Sequence, residues 1–396
     1  MAASHNVPVL IVGGGPVGLF LALRLAQANI PVTVLEAETE MQNETKAMAH
    51  QPSIFPEFKS VGLMEDLLAA GITSGPLCFR KPKVGEPIAK LPVKPGMPTV
   101  LLLPQYRFWE ILEQHIRKHE CAKVLVGHRV TAIDQSAGDT VKVTVQTNDG
   151  LEKTFTTAHL VAADGSHSSI RRLCDIPFEG VTLSEQLVAT DIVYPFDKHG
   201  YLDANFLVDP DNYGLVGRIT KEGLWRVSYG APAAMEYDEI VKGLPAKFDA
   251  MFPGPRPLEY KIQRIAPYKA QQRCVATLRK GRVMVVGDAA HVTNPYAGLG
   301  LNTGFFDASS LAMALISVLS HGAPESLLDA WAKARRDVFL NVVDPMSRKA
   351  LVRVKDSDPD TLPERDPLLR GMKTGQMPMP PSLATDVRKL EGYVEG

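Results

Sequence analysis

A glycine triplet near the start of the chain constrains its fold more than any other feature. Gly13, Gly15 and Gly18 occupy the positions of a G-x-G-x-x-G pattern. The apolar run 7–12 before them predicts a buried parallel strand, and the Leu- and Ala-rich run 17–28 after them predicts a helix. The first glycine permits a tight turn, the second lets backbone amides approach a pyrophosphate, and the third lets the helix pack on the strand.

A carboxylate closes the next predicted strand, residues 31–36. Glu36 lies about 20 residues beyond the first glycine, where an acidic side chain accepts hydrogen bonds from ribose hydroxyls. Pro16 and Val17 open the predicted helix, whose first amides and positive dipole end would face phosphates. A glycine-rich turn that binds nothing is the alternative. Strand, helix, second strand and terminal carboxylate together favour a dinucleotide-binding βαβ unit.

The composition is that of an ordinary globular protein, and it argues against several classes of function. The chain has 396 residues, 45% of them hydrophobic and 22% charged, which is long enough for two packed domains. Its formal net charge of -1 supplies no field that would recruit nucleic acid or an anionic membrane. No uninterrupted apolar stretch approaches the ~20 residues that span a bilayer. The four cysteines form no C-x-x-C pair, which favours free thiols and a cytoplasmic enzyme.

Two further motifs occur later in the chain, each directly after a short apolar run. They are Asp164-Gly-Ser-His-Ser-Ser-Ile-Arg171 and Gly287-Asp-Ala-Ala-His291, the second followed by Pro295 and by the glycine-rich stretch 298–304. Asp-Gly is also a common turn signal, and Ser168 could simply cap the helix that follows. The order and separation of all three motifs, more than any one of them, point to a single flavin-binding architecture.

With these motifs in this order, the chain resembles the class A flavoprotein aromatic hydroxylases, the family of p-hydroxybenzoate hydroxylase and salicylate hydroxylase, over roughly residues 7–343. The resemblance implies an α/β fold in which a Rossmann-like FAD-binding domain carries an inserted, mainly antiparallel-sheet substrate domain. We predict FAD-binding parts at 1–178 and 268–350, a substrate domain at 179–267 with a contribution from 74–104, and a C-terminal extension at 351–396.

The resemblance also implies which residues hold the cofactor. Asp164 and Gly165 would serve the pyrophosphates of FAD and of NAD(P)H, and Asp288 would hold the ribityl hydroxyls. Gly300 and Leu301 would offer backbone amides near the flavin ring, whose reduced form is anionic and gains from a helix N-terminus. The full predicted set is Gly13, Gly15, Pro16, Val17, Gly18, Glu36, Lys46, Ala47, Gln105, Arg107, Asp164, Gly165, Asp288, Gly298, Gly300, Leu301 and Asn302.

The chain departs from the family pattern at a few positions. Lys46 stands where relatives carry Arg or a small residue, and it keeps the charge without the bidentate fork. Leu299 stands where Gln is common. Gln105 and Arg107 also fit the polar first turn of a surface helix. His291 invites a role as a base, although in this motif a structural histidine is the more frequent case.

The resemblance implies an FAD-dependent monooxygenase. NADPH or NADH would reduce FAD, O2 would form a C4a-hydroperoxyflavin, and one oxygen atom would pass to an electron-rich, phenol- or indole-like aromatic small molecule. A single G-x-G-x-x-G unit implies that the nicotinamide cofactor binds only transiently. The alternatives are a flavin reductase or oxidase on the same fold and a non-catalytic flavin-bound sensor. We expect no metal, no membrane span, and a monomer or homodimer.

Substrate contacts are expected from the inserted sheet, whose face would cover the flavin ring. Strand-borne Tyr and Trp usually belong to a core, and alternating Arg is usually solvated, so each candidate has an ordinary structural explanation. The tentative catalytic set is Pro295, Arg218, Tyr229 and His50, with the flavin carrying the chemistry. Three further candidates for substrate contact are Tyr213, Trp225 and Arg226.

Overall fold

The computed structural model describes residues 5–40, 48–73, 75–84, 86–93 and 99–396. The strands, in chain order, are β1 (His5–Val12), β2 (Val32–Leu35), β3 (Ala49–His50), β4 (Ile72–Thr73), β5 (Cys78–Arg80), β6 (Pro87–Lys90), β7 (Leu101–Leu102), β8 (Ala122–Leu125), β9 (His128–Asp134), β10 (Val141–Thr147), β11 (Glu152–Ala162), β12 (Phe178–Val193), β13 (Ala204–Leu207), β14 (Gly214–Arg218), β15 (Leu224–Pro232), β16 (Lys261–Val275), β17 (Arg279–Lys280), β18 (Val283–Val285) and β19 (His291–Val292).

The helices alternate with the strands in the N-terminal half and dominate the last hundred residues. In chain order they are α1 (Pro16–Gln27), α2 (Phe55–Ser60), α3 (Met64–Ala70), α4 (Gln105–Ile116), α5 (Ser169–Leu173), α6 (Tyr237–Met251), α7 (Gly300–His321), α8 (Ser326–Val338), α9 (Asp344–Val354), α10 (Leu362–Arg365) and α11 (Pro367–Thr374). A π-helical turn, Phe339–Val343, joins α8 to α9.

The first sheet explains why three motifs so far apart in sequence meet in space. Its main order is β17-β18-β11-β1-β2-β8, and β1 pairs in parallel with both β2 and β11. The short central strands β2 and β18 are buried at every position, as parallel strands covered on both faces usually are. Val12 pairs with Leu35 and with Ala162, and Ala162 pairs with Val285. The segments that follow these four residues therefore begin side by side at one edge of the sheet.

The second sheet is built mainly from the middle of the chain and is largely antiparallel. Its order is β19-β16-β12-β15-β14-β13-β5-β6, with the long strands β12 and β16 at its centre. Strands β5 and β6 come from the stretch 74–104 and extend the sheet at its far end. Strand β16 runs through the predicted boundary at 267–268, so that boundary divides a continuous strand. A small third sheet has the order β3-β7-β4.

The two faces of the second sheet have different partners. Helix α6 covers one face, where Trp225 and Tyr229 are buried in a cluster with Phe248. The other face meets the domain built on the first sheet, which we call the first domain. There the ring of Tyr213 lies 5.6 Å from the ring of Tyr296, measured between centroids. We call this side the flavin-facing side, because the family resemblance implies that the flavin lies between it and the edge of the first sheet where the motifs meet.

Helix α7 is the central helix of the first domain. By length and composition it could cross a membrane, yet 72% of its most apolar window is buried inside the protein. It packs against α1 on one side and α8 on the other, so its apolar surface belongs to the core. After α11 the chain returns to this domain, where Leu383 and Val387 are buried.

Candidate active site

Glycines at the start of α1 form an open cradle at the sheet edge. Gly13 has φ +111°, and a Cβ atom there would overlap the carbonyl of Ala163. A Cβ atom on Gly18 would overlap the carbonyl oxygen of Gly13. Gly15, in contrast, has no neighbouring atom within 4 Å of an added Cβ. Two of the three glycines are therefore required by the protein's own packing, whereas the space above Gly15 is open to a ligand.

Two helix N-termini face this edge. Among the described residues, neither α1 nor α7 has a side-chain cap, and neither helix carries an acidic residue in its first turn. Such a turn presents N–H groups and a positive dipole end, which suit a phosphate or an electron-rich ring. Gly300 and Leu301 lie in the first turn of α7, as Pro16 and Val17 do in α1. The arrangement fits a ligand that carries both kinds of group, as FAD does.

Glu36 is held in place by the backbone around the glycine cradle. Its Oε2 accepts a hydrogen bond from the Gly14 amide at 2.7 Å, and its Oε1 accepts one from the Glu38 amide at 2.9 Å. From α4, the indole of Trp109 donates to the Gly14 carbonyl at 2.9 Å. Trp109 was not singled out from the sequence, because an aromatic residue in a helix next to core positions gives no sign of a contact so distant in the chain.

The neighbouring predicted residues of α4 are less enclosed. Gln105 begins the helix and is half-buried, and Arg107 is exposed, with its guanidinium 2.7 Å from the carboxylate of Glu110. Lys46 and Ala47 lie outside the described residues. The FAD contacts expected of all four residues remain predictions.

Asp164 both caps a helix and offers an unused acceptor. Its Oδ2 accepts hydrogen bonds from the amides of Ser169 at 2.7 Å and Ile170 at 3.2 Å. Ser168 caps α5 as well, through the amide of Arg171 at 3.0 Å. The second oxygen of Asp164, Oδ1, is buried and has no hydrogen-bond partner among the described residues. A buried carboxylate oxygen without a donor is costly, so this atom fits a ligand that donates a hydroxyl or amide hydrogen.

The buried carboxylate of Asp307 holds the turn that carries Asp288 in place. Asp307 Oδ2 accepts hydrogen bonds from the Gly287 amide at 3.0 Å and from His291 Nε2 at 2.7 Å. Asp307 Oδ1 accepts one from Arg335 Nε at 2.7 Å. Burial alone would raise the pKa of Asp307, but His291 and Arg335 outweigh it and lower the pKa. Asp288 itself is exposed at the sheet edge, so its carboxylate is accessible there.

His291 is therefore a structural residue in this fold. It is 1% exposed, its ring stacks on Phe339 at 4.7 Å, and its Nε2 is engaged by Asp307. Arg335 was missed, because a charged helix residue is usually exposed and nothing in the pattern marks this one as buried.

Asn302 joins the start of α7 to the segment that includes β3. Its Oδ1 accepts a hydrogen bond from the Gln51 amide at 2.9 Å, and its Nδ2 donates to the carbonyls of Ala49 at 3.2 Å and Gly298 at 2.8 Å. The side chain is fully buried. This geometry makes Asn302 a positioning residue for the loop and the helix end that lie beside the flavin position.

Pro295 opens a short 3-10 turn, Pro295–Ala297, on the same side of the molecule. The turn is anchored by Asn294, whose Nδ2 donates to Gln272 Oε1 and to the Ser347 carbonyl, both at 3.0 Å. Burial raises the pKa of the Tyr296 hydroxyl well above its ordinary value, and that hydroxyl has no hydrogen-bond partner among the described residues. Pro295 is thus held rigidly between the two domains.

The flavin-facing side of the second sheet carries mostly small side chains. Residues opposite each other in an antiparallel pair share a face. Ser228 lies opposite Ala189 on one side and Leu215 on the other, and Arg226 lies opposite Asp191 and Gly217. The Ser228 hydroxyl makes no hydrogen bond to the described part of the chain, although the residue is only 4% exposed. It is therefore available to a ligand.

Alternation along β14 and β15 divides the predicted substrate residues between the two faces. Tyr213 and Arg226 lie on the flavin-facing side. Trp225 and Tyr229 lie on the side covered by α6, and burial there raises the pKa of Tyr229. Arg218 packs over the Trp225 ring at 4.3 Å and donates to Asp203 at 2.7 Å. The structure therefore does not bring Arg218, Trp225 or Tyr229 to the flavin-facing side.

His50 lies in an aromatic cluster inside the first domain. Its ring stacks on Phe108 at 4.8 Å and lies 5.9 Å from Phe58 and 6.0 Å from Phe305. Burial lowers the pKa of His50 to about 4, although the nearby backbone of Leu103 opposes the shift. Among the described residues, neither ring nitrogen has a partner at hydrogen-bond geometry. The side chain is enclosed by protein, so the structure gives it no exposed surface for a substrate.

Fold and site together define a two-domain flavoprotein in which a mixed sheet covers the flavin position. The chain belongs to the FAD binding domain family, whose model matches residues 6–345. It is 38% identical over 391 residues to para-nitrophenol 4-monooxygenase of Pseudomonas sp. (strain WBC-3), a match that covers 97% of this chain and 96% of the relative. It is 33% identical to 6-hydroxy-3-succinoylpyridine 3-monooxygenase of Pseudomonas putida, with 85% of this chain and 86% of the relative covered.

A solved structure agrees with these relatives. The crystal structure of p-nitrophenol 4-monooxygenase from Pseudomonas putida is similar with a TM-score of 0.88 and 35% sequence identity, covering 94% of this chain and 97% of that one. The protein is an FAD-dependent monooxygenase of aromatic small molecules that uses O2 and NAD(P)H. The predicted family, fold class and reaction are confirmed.

Proposed function

We propose that this enzyme hydroxylates a para-substituted phenol at the carbon that bears the substituent, with 4-nitrophenol as the first substrate to test. Oxygen insertion at that carbon releases nitrite and leaves a quinone. The second oxygen atom of O2 leaves as water, with two electrons supplied by one NAD(P)H. The observation that carries this proposal is the 38% identity to a para-nitrophenol 4-monooxygenase along 97% of this chain and 96% of that relative.

FAD binding in the proposal follows from the groups that face the sheet edge. Gly15 and the first turn of α1 would bind the diphosphate, and Glu36 would accept hydrogen bonds from the adenosine ribose. Asp288 would hold the ribityl hydroxyls. The open space above Gly15 and the unused amides of α1 support this arrangement. The chemistry that bound FAD supplies is activation of O2 with electrons taken from NAD(P)H.

The protein's own residues bind and orient the phenol. The aromatic ring lies between the turn that begins with Pro295 and the small residues Ala189 and Ser228 of the second sheet. The unpartnered hydroxyl of Ser228 offers a hydrogen bond to a substrate substituent. The rigid turn and the covering sheet exclude water from the reacting carbon, which protects the oxygen transfer from hydrolysis. The hydrogen bonds of Asn302 and Asp307 hold the start of α7 and the Gly287 turn in position.

The test is a coupled stoichiometry with purified holoenzyme. NAD(P)H oxidation, nitrite and quinone are measured with 4-nitrophenol under air, first with NADPH and then with NADH. We expect one nitrite for each NAD(P)H oxidised, and oxidation that accelerates when the phenol is added. Oxidation without nitrite and with release of hydrogen peroxide would show a flavin oxidase activity instead, and would contradict the proposal.

We also propose that the enzyme works as a cytoplasmic monomer or homodimer. The support is the near-neutral net charge and the free cysteines. Light scattering during size-exclusion chromatography, with and without FAD, gives the oligomeric state. A stable trimer or larger assembly would contradict the proposal.

A further inference from the structure

A buried ion pair lies on the flavin-facing side of the second sheet. Arg226 Nε donates to Asp191 Oδ1 at 2.8 Å, and Arg226 Nη2 donates to Asp191 Oδ2 at 2.9 Å. Each side chain is 9% exposed. The two residues are directly opposite each other on β15 and β12. A bidentate contact of this kind compensates the guanidinium charge with one carboxylate.

The position of the pair follows from two contacts between the domains. A Cβ atom on Gly217, beside Arg226, would lie 3.7 Å from Met48, which belongs to the first domain. Further along the same face, Tyr213 packs against Tyr296. Ser228 lies between these two contacts, on the same face of the sheet. The ion pair therefore borders the space that the proposed substrate occupies.

Arg264 is another cation near the pair. It lies opposite Asp191 on β16 and is half-buried, so solvent screens its charge. Arg226 is buried, and Asp191 compensates its charge. A substrate carboxylate entering beside this pair would lose water and meet a cation that already has a carboxylate partner, which is unfavourable.

We propose that Asp191 determines substrate specificity by neutralising Arg226, so that the site accepts a para-nitro group and rejects a para-carboxylate. This inference rests on the proposed function and deepens it. Nitro and carboxylate groups are both planar and of nearly the same size, so the shape of the site cannot discriminate between them, whereas its net charge can. The class of substrate assigned is a phenol whose para substituent is polar but uncharged.

Binding to the oxidised holoenzyme tests this without turnover. Dissociation constants for 4-nitrophenol, 4-hydroxybenzoate and 4-hydroxybenzamide are measured from changes in the flavin spectrum at about pH 6, where a free carboxyl is ionised and the phenols are mostly protonated. For the natural protein we expect 4-hydroxybenzoate to bind at least ~30-fold more weakly than 4-nitrophenol. The neutral amide should bind more tightly than the carboxylate.

The variant Asp191→Asn removes the compensating charge while keeping the shape. We expect 4-hydroxybenzoate to bind at least ~10-fold more tightly to this variant than to the natural protein, since the negative charge of Asp191 beside Arg226 is removed. Asp191→Glu, which keeps the charge, should retain the original selectivity. In the double variant Asp191→Asn with Arg226→Gln, the gained affinity should disappear.

Asp203→Asn is the matched control. It makes the same carboxylate-to-amide change beside Arg218 of the same sheet, directly before β13 and away from the flavin-facing side. It should leave the ratio of the two dissociation constants unchanged. Equal gains from Asp203→Asn and Asp191→Asn would overturn the inference, as would a folded, FAD-loaded Asp191→Asn protein that gains no affinity for 4-hydroxybenzoate.

The comparison of ligands on the natural protein needs no variant to fold. Equal affinity for 4-hydroxybenzoate and 4-hydroxybenzamide would overturn the inference even if 4-nitrophenol is turned over. Conversely, a failure to release nitrite with a preserved preference for uncharged substituents would contradict the proposed reaction and leave the role of Asp191 supported.

Discussion

Asp307 and His291 form a fully buried pair in which the imidazole Nε2 lies 2.7 Å from the carboxylate Oδ2. The same carboxylate oxygen accepts the Gly287 amide, and the other oxygen is held by Arg335. Arg335 in turn donates to the carbonyl of Leu383 in the C-terminal segment at 2.6 Å. One buried anion thus connects the turn bearing Asp288 to the end of the chain.

Asp307→Asn should weaken both the fold and FAD binding. The change leaves Arg335 buried with less compensation, which costs about 3–5 kcal/mol of unfolding free energy. It also loosens the Gly287 turn, so we expect the dissociation constant of FAD to rise at least ~10-fold. Urea unfolding of the apoprotein and a flavin fluorescence titration measure the two effects. Asp337→Asn, which breaks an exposed pair with Lys333, should change neither. Unchanged FAD affinity in Asp307→Asn would contradict the role given to this pair.

Substitution of two glycines in the same motif should separate packing from ligand binding. Gly15→Ala meets no protein atom and has an extended backbone with φ -70°, so the apoprotein should keep its stability or gain up to about 1 kcal/mol. Its FAD affinity should fall at least ~10-fold, because the methyl group enters the space assigned to the diphosphate. Gly18→Ala overlaps the Gly13 carbonyl and should destabilise the apoprotein as well. Normal FAD binding by the Gly15→Ala protein would contradict the placement of the diphosphate at Gly15.

His50 should make the protein sensitive to acid. Its pKa is about 4 in the folded protein against an ordinary value of 6.5, so the unfolded chain binds the proton more readily. Unfolding free energy should therefore be intact above pH 6.5 and fall as the pH drops toward 4, by at most about 3 kcal/mol. In His50→Leu this part of the pH dependence should vanish. Urea midpoints at pH 7 and pH 5 measure it, and equal losses in both proteins would contradict the assignment.

Gly230→Ala should impair the substrate site while sparing the cofactor. The new methyl group would overlap the hydroxyl of Tyr213, which now donates to Glu185 at 2.5 Å. Tyr213 must move, and with it the contact to Tyr296. We expect a KM for the phenol raised at least ~5-fold with an unchanged dissociation constant for FAD. Gly243→Ala serves as the control, because a Cβ atom added to this α6 residue has no neighbouring atom within 4 Å. An FAD affinity that falls in parallel with substrate affinity would count against separate sites.

The first βαβ unit could be predicted closely because its signals are local. The run 7–12 lies within β1, and the run 17–28 overlaps α1 within a residue or two. Strand β16 was not predicted, because its alternation of apolar and polar residues is irregular and Pro267 interrupts it. Its long pairing with β12 outweighs this weak local strand propensity.

The faces of the second sheet could not be assigned from the sequence. Alternation indicates that Trp225 shares a side with Tyr229, and Arg226 with Ser228, but not which side meets the cofactor. Helix α6 decides this by covering the Trp225 side, and it lies further along the chain. The burial of Arg335 was equally hidden, since it depends on Asp307, 28 residues away, and on the returning C-terminal segment.

Transfer of an oxygen atom from O2 to the phenol is the central claim, and isotope incorporation tests it most directly. The holoenzyme, NAD(P)H and 4-nitrophenol are mixed under oxygen-18 gas, the quinone is trapped at once as the hydroquinone by ascorbate, and its mass is measured. We predict one labelled oxygen atom in each product molecule. Product that carries only unlabelled oxygen, or labelled gas recovered solely as hydrogen peroxide and water, would contradict the account.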